Sequence, residues 1–133
     1  MNLLIEQSVR DWLADLEAFE GIAIHCGQSD EEIPNDAPLI MVACEDINTP
    51  APTLYIATVR LIVSTPSVMA DALTDHRNLV ASLRSTLNDA ETMADFFPEG
   101  ITCAGASINT WNESQSNDRW MSQVNLTLGM VEG

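Results

Sequence analysis

The sequence contains no lysine, and its five basic residues, all arginine, stand against 20 acidic residues. A formal net charge of −15 on 133 residues argues against direct binding of a nucleic-acid backbone, because basic side chains supply that affinity. Two interpretations of the acidity stay open. It can serve solubility, for example in a saline habitat, or it can form a surface that lies near DNA without holding it, such as the wall of a conduit.

Long apolar runs are also missing. No run approaches the roughly 20 residues of a membrane-spanning helix, so no membrane partner is expected. The first residues lack the basic segment and the cleavage site of a signal peptide, which predicts synthesis in the cytoplasm. Hydrophobic residues nevertheless make up 46% of the chain, and its length suits one domain over residues 1–133 with its own core.

Cysteine is scarce, and the spacing of the cysteines indicates no pairing motif. The three cysteines form no C-x-x-C motif, and each lies in a predicted strand, where a free thiol behaves as a small buried hydrophobe. They are Cys26, Cys44 and Cys103.

Recognisable catalytic and ligand-binding motifs are absent as well. The sequence has no nucleophile elbow, Walker loop, dinucleotide fingerprint or zinc pair, so neither a cofactor nor a metal is expected. His76 lies on an apolar helical stripe, where a hydrogen-bonded buried histidine is a commoner outcome than a metal ligand. The acidic run 30–32 lacks the alternating ligands and central glycine of an EF-hand. The sequence therefore predicts a protein that is not an enzyme, with a small cytoplasmic enzyme or ligand-binding domain as the weaker alternative.

The clearest structural pattern is a strand followed by a helix over residues 54–87. Residues 54–63 are rich in β-branched side chains and alternate between an apolar face and a mixed face. Thr65 is placed to cap a helix that begins at Pro66, with Ser67 as a competing cap. Apolar residues then recur at helical spacing: Met69, Ala72, Leu73, His76, Val80, Leu83 and Leu87.

The remaining elements complete a seven-element chain. A first helix is predicted over residues 3–19, ended by Gly21. Further strands are predicted at 22–26, 39–44, 101–111 and 119–131, with loops at 27–38 and 112–118 and a loop or wide hairpin turn at 45–52; Gly105 predicts a bulge or a close backbone approach. The order α-β-β-β-α-β-β predicts an α+β fold in which a single mixed, mostly antiparallel sheet has two helices packed on one face.

Long polar loops on a rigid scaffold usually carry recognition, which makes interaction the favoured class of function. Trp111 and Trp120 flank the last loop, and we expect a cross-strand or near-diagonal pair that offers aromatic anchors to a partner. The alternative is that the two rings merely cover the sheet. The candidate interface residues are Asp30, Glu31, Glu32, Asp36, Asn48, Trp111, Glu113, Asp118, Arg119 and Trp120.

Four segments carry a resemblance to a known family. They read YIATVRLIV at 55–63, HRNLVASLR at 76–84, INTW at 108–111 and WMSQVNLTL at 120–128. With the element order, they make the chain resemble the tail-terminator and tail-completion proteins of tailed bacteriophages, such as the lambda-type minor tail protein U group. The resemblance covers residues 50–131 by sequence pattern and the first third of the chain by topology.

The resemblance implies a structural protein of the virion, made in the host cytoplasm. It would form a homo-oligomeric ring, a hexamer in this family, that caps the tail tube at its head-proximal end. The ring would end tube polymerisation and join the tail to the neck below the portal, without a cofactor. Its partners would be further copies of itself, the tail tube protein and a neck or head-completion protein, while DNA would pass through without specific binding. Another neck, head-completion or baseplate component is the alternative within the virion.

Overall fold

A computed structural model of the chain describes residues 2–26, 38–67, 71–87, 96–97, 100–116 and 119–132. The elements are α1 (Asn2–Ala14), a 3-10 turn (Glu17–Phe19), β1 (Ala23–Cys26), β2 (Leu39–Ala51), β3 (Leu54–Pro66), α2 (Ala72–Leu87), β4 (Ile101–Ser116) and β5 (Arg119–Glu132). The strands form one sheet in the order β1-β2-β3-β5-β4, in which β1 and β2 pair in parallel and the other pairs are antiparallel. The predicted α+β fold and its element order are confirmed.

Both helices pack on the same face of the sheet, which we call the covered face. Helix α1 contacts β1 and β2, whereas α2 contacts β3 and β5. Alternate residues of the central strands point toward the helices and are fully buried, as the alternation in the sequence predicts. On β3 and β5 these residues are Ala57, Val59, Leu61, Val63, Val124, Leu126, Leu128 and Met130. The core therefore lies between this face and the two helices.

The opposite face, which we call the open face, carries the intervening residues of the same strands. They are partly exposed and mostly polar, and on β3 and β5 they include Thr58, Arg60, Ile62, Gln123, Asn125 and Thr127. The guanidinium of Arg60 lies 3.1 Å from the Glu45 carboxylate of β2. The half-solvated pattern predicted for the last strand is confirmed.

Helix α1 is shorter than the predicted 3–19. The α-helix ends at Ala14, and the chain continues into the 3-10 turn, whose Phe19 is buried in the core. Gly21 follows with a φ of 81°, a conformation that glycine adopts without steric cost. Near the start of the helix, Glu6 Oε1 accepts a hydrogen bond of 2.9 Å from the Cys44 N–H of β2. Cys44 lies just beyond the residues 39–42 that pair with β1.

Two segments predicted as loops are strands instead. Strand β2 continues through residues 45–51 and pairs with β3, with register shifts after Cys44 and Asn48. Strand β4 likewise continues through 112–116 and pairs with β5 as far as Arg119. These parts of the hairpins expose many of their side chains, so the polar composition that predicted loops is equally compatible with paired strands. The bulge predicted at Gly105 is confirmed by a register shift between Cys103 and Gly105.

The junction between β3 and α2 also differs from the prediction. Thr65 and Pro66 are the last residues of β3, where they pair with Trp120 and Arg119, so they do not cap and begin a helix. The helix begins at Ala72, and the backbone N–H of Asp75 donates to the Asp71 carbonyl at 2.9 Å. Its stripe is confirmed in Ala72, His76, Leu83 and Leu87, which are buried, whereas Met69 lies outside the described residues. No helix in the described parts of the chain combines the length and apolar character needed to cross a bilayer.

Candidate interface groove between α2 and β4

A groove of about 360 Å³ opens between α2 and the outer strands of the sheet. Arg77 and Arg84 line it from the helix, Trp111 and Glu113 from β4, and Ser122 from β5. These five residues define what we call the α2–β4 groove. It combines cationic, aromatic and acidic groups, whereas the neighbouring core is apolar.

Simple periodicity explains why these side chains meet. Arg77 and Arg84 are seven residues apart, about two helical turns, and so lie on the same side of α2. Trp111 and Glu113 are two residues apart and share one face of β4. Their partners on β5 are Val124 and Ser122, both on the covered face, which brings this part of β4 alongside the helix.

Arg77 and Glu113 close one end of the groove with two hydrogen bonds. Nε and Nη2 of Arg77 donate to Oε1 and Oε2 of Glu113 at 3.2 and 3.1 Å. The hydrogen bonds from Arg77 lower the pKa of the Glu113 carboxyl, and those to Glu113 raise the pKa of Arg77. Both side chains are well exposed, so this pair orients the rim of the groove more than it stabilises the fold.

Arg84 lies on the aromatic ring of Trp111. Its guanidinium carbon is 4.8 Å from the ring centroid, within the range of a cation–π contact. The Trp111 ring is half-buried against the core, so it holds the guanidinium in place. Among the described residues, no carboxylate lies within ion-pair distance of Arg84.

Beneath the groove, a buried histidine joins three elements. His76 on α2 is fully buried; its Nδ1 lies 2.8 Å from Thr65 Oγ1 on β3, and its Nε2 lies 2.7 Å from Ser122 Oγ on β5. Burial lowers the pKa of His76 below its ordinary value of 6.5, so the ring is neutral at pH 7. The expectation of a hydrogen-bonded buried histidine is confirmed, and the long-range partner of Thr65 explains why its hydroxyl is not a helix cap.

The contact between Ser122 and His76 has the reach of a nucleophile and its general base. The group that orients the far side of the imidazole is the hydroxyl of Thr65, however, and not the carboxylate of a catalytic triad. Ser122 also lies within β5 and pairs with β3 on one side and β4 on the other. The arrangement therefore serves well as a polar tie between α2 and the sheet.

The structure separates the predicted interface residues. Trp111 and Glu113 lie in the groove, but Trp120 is opposite Gln115 and Thr65, and Trp111 is opposite Val124. The expected pairing of Trp111 with Trp120 is therefore wrong. Its premise, a loop over 112–118, fails because the ladder continues through 112–116 and places the two tryptophans at different levels of the hairpin.

Arg119 and Asn48 lie away from the groove. Arg119 Nε donates to Ser64 Oγ at 2.7 Å and Nη2 donates to the Ser64 carbonyl at 3.2 Å, so the side chain ties β5 to β3. Burial lowers the pKa of Arg119. Asn48 is exposed near the opposite end of the sheet, across from Ile56. Asp30, Glu31, Glu32, Asp36 and Asp118 lie outside the described residues.

Arg77, Arg84 and Ser122 are the groove residues that the sequence prediction missed. The available pattern was the seven-residue spacing of two arginines on one predicted helix, in a chain with only five arginines. Spacing alone does not show which strand the helix packs beside.

The thiols and possible metal ligands give no second candidate. Cys26, Cys44 and Cys103 lie in strands as predicted, and none of them forms a disulfide. Burial raises the pKa of Cys44 to about 11 and also raises that of Cys26. Across the described residues, no three histidine, cysteine or acidic side chains are grouped so that they could hold a metal ion.

Comparison with known proteins adds little. No protein-family model matches the chain, and no curated protein matches it. One solved structure with 10% sequence identity matches 98% of this chain and 91% of its own, with a TM-score of 0.45, and its name states no function. A likeness at that level supports no inference about function.

Proposed function

We propose that the chain is a structural protein of a bacteriophage virion, a tail terminator that forms a ring at the head-proximal end of the tail tube. The ring ends tube polymerisation and joins the tail to the neck and portal. The observation that carries the proposal is the fold. The order α-β-β-β-α-β-β, with both helices on one face of the sheet, is the architecture that the resemblance to tail-terminator proteins implied.

The α2–β4 groove supports a role in protein–protein contact. Tryptophan and arginine are the residue types most enriched among interface positions that carry binding energy. Here Arg84 already rests on Trp111, so part of the conformational entropy that binding would cost has been lost in the free chain. The partners in this proposal are further copies of the chain, the tail tube protein and a neck or head-completion protein.

The acidity supports the part of the proposal that concerns DNA. A ring of chains with a net charge of −15 each repels the phosphate backbone, so DNA passes through the bore without being held. The structure of the assembled ring tests this point. An acidic bore is expected, and an uncharged or basic bore would contradict it.

Deleting the coding sequence from the phage or prophage that carries it tests the proposed function. We expect tube and portal genes beside it, and we expect the deletion to yield tails of uncontrolled length together with heads that lack tails in electron micrographs. Expression of the chain from a plasmid restores normal particles. Tails of normal length attached to heads in the deletion strain would overturn the proposal.

The same deletion separates the alternatives within the virion. A head-completion component leaves tails of normal length beside unjoined heads, and a baseplate component leaves no tails or tails with a defective distal end. Loss of length control is specific to the tail terminator.

An enzyme is the second candidate, and the contact between Ser122 and His76 is the observation behind it, although the hydroxyl of Thr65 stands where a catalytic triad has a carboxylate. A fluorophosphonate probe tests this candidate on the folded protein, with Ser122→Ala as the control. Labelling that the substitution abolishes would support a serine nucleophile. Lack of labelling would leave the polar tie as the role of this pair.

A further inference from the structure

Four exposed carboxylates cluster near the end of α1 and in the 3-10 turn. They belong to Asp11, Asp15, Glu17 and Glu20, which we call the acidic segment. Arg10 neutralises part of this charge through an ion pair of 3.1 Å with Asp11. The other three carboxylates give one flank of the protein a strong negative potential.

The acidic segment and the α2–β4 groove lie at opposite flanks of the molecule. Helix α1 packs over β1 and β2, at one end of the strand order β1-β2-β3-β5-β4. The groove lies between α2 and β4, at the other end. Two copies placed side by side in the same orientation therefore bring the groove of one toward the acidic segment of the next.

Charge restricts how two copies can approach each other. Each copy carries a net charge of −15, so most pairs of surfaces repel. Arg10, Arg60 and Arg77 are paired with carboxylates, and Arg119 is bonded to Ser64. Within the described part of the chain, Arg84 is the arginine that has neither kind of partner, and it is exposed on the groove wall.

We propose that the α2–β4 groove of one copy binds the acidic segment of a second copy, with Arg84 as the main cationic contact and Trp111 as its support. The proposal rests on the proposed function, since it assigns the contact between neighbouring copies of the ring. Such a contact joins two different surfaces, so each copy can repeat it with the next. A repeated contact of this type closes into a ring when its rotation permits.

Charge reversal on each side tests the proposal by complementation. Arg84→Glu makes the groove acidic, and Glu17→Arg with Glu20→Arg makes the acidic segment basic. All three side chains are exposed, and circular dichroism and thermal unfolding show whether each variant is folded. Sedimentation velocity over a wide range of protein concentration, at low and at high ionic strength, measures self-association of the full chain.

Each variant alone is expected to self-associate at least about tenfold more weakly than the unmodified chain, because like charges then face each other. An equimolar mixture of the two variants is expected to associate again, since every contact in an alternating ring pairs opposite charges. Thr49→Glu with Thr53→Glu is the matched control. It changes the net charge by −2, as Arg84→Glu does, on exposed residues at the β2–β3 hairpin, and should leave association unchanged.

The outcomes separate this inference from the proposed function. Self-association that Arg84→Glu does not weaken, or a mixture that stays dissociated, would overturn the assigned contact while the tail phenotype of the deletion still supports a terminator. A chain that remains a monomer at every concentration would overturn the contact as well. If the deletion strain makes normal tails but the mixture of the two variants associates again, the assigned contact is supported and the proposed function as a tail terminator is overturned.

Discussion

The two faces of the sheet are built from the same strands but differ in how their buried polar groups are hydrogen-bonded. On the covered face, Leu61 and Val124 are fully buried, and the buried polar groups of His76 bond to Thr65 and Ser122. On the open face, Asn125 Oδ1 is shielded from solvent and lacks a hydrogen-bond partner in the part of the chain described. Buried polar atoms usually have a hydrogen-bond partner, and one without a partner costs free energy. We therefore infer that the covered face contributes most of the unfolding free energy and that the open face contributes less.

The largest expected difference between the faces comes from two neighbouring residues of β3. Leu61→Ala removes a fully buried side chain from the covered face and should cost about 3 kcal/mol of unfolding free energy, by lost burial and a residual cavity. Ile62→Ala removes a side chain of the same size from the open face and should cost about 1 kcal/mol or less. Urea denaturation of both variants measures the difference. Equal losses would show that the two faces contribute alike.

A smaller loss of folding stability should appear when the pH is lowered, because the buried His76 lies against the covered face. Since the pKa of His76 is lowered in the folded chain, the unfolded chain binds more protons as pH falls through 6.5. The contribution of His76 is therefore fully present above about pH 6.5 and is lost progressively below it. Thermal unfolding between pH 8 and 5 should show this loss, and His76→Gln should flatten the profile because glutamine keeps a donor and an acceptor but does not titrate. An unchanged slope in this variant would exclude His76 as the cause.

The smallest effect is expected from the ion pair between Arg60 and Glu45. Glu45→Gln removes one charge from a pair whose side chains are 33% and 41% exposed, so the cost should be about 0–1 kcal/mol and should fall as salt is added. Urea denaturation at low and high ionic strength measures it. A loss as large as that of Leu61→Ala would mean that the open face is more important to folding than its exposure suggests.

Local periodicity was enough to predict the parts of the fold that depend on one buried face. The alternation in residues 54–63 predicts the apolar face of β3, and the spacing of Ala72, His76, Leu83 and Leu87 predicts the buried side of α2. Both patterns arise because each element must bury one side against the same core.

Sequence reasoning failed where the deciding partner is distant along the chain. Thr65 resembles a helix cap, but its hydroxyl meets His76 eleven residues later and its backbone pairs with β5. Residues 112–116 resemble a loop because their side chains are polar, yet the ladder with β5 holds them extended. In the groove, Trp111 and Glu113 could be named in advance, whereas their contacts with Arg84 and Arg77 depend on the direction in which α2 packs.

The hydrogen bond from the Cys44 N–H to Glu6 has a consequence for aggregation. Among the described residues, β1 pairs only with residues 39–42 of β2, and a strand end without a neighbouring strand offers backbone groups to which a second chain can add. The Glu6 carboxylate occupies one of these donors and places a negative charge beside the edge, which discourages a foreign strand. Because Glu6 belongs to α1, docking of that helix and protection of the edge occur together. The form of the chain most exposed to misassembly is therefore a partly folded one in which the sheet has formed and α1 has not yet docked.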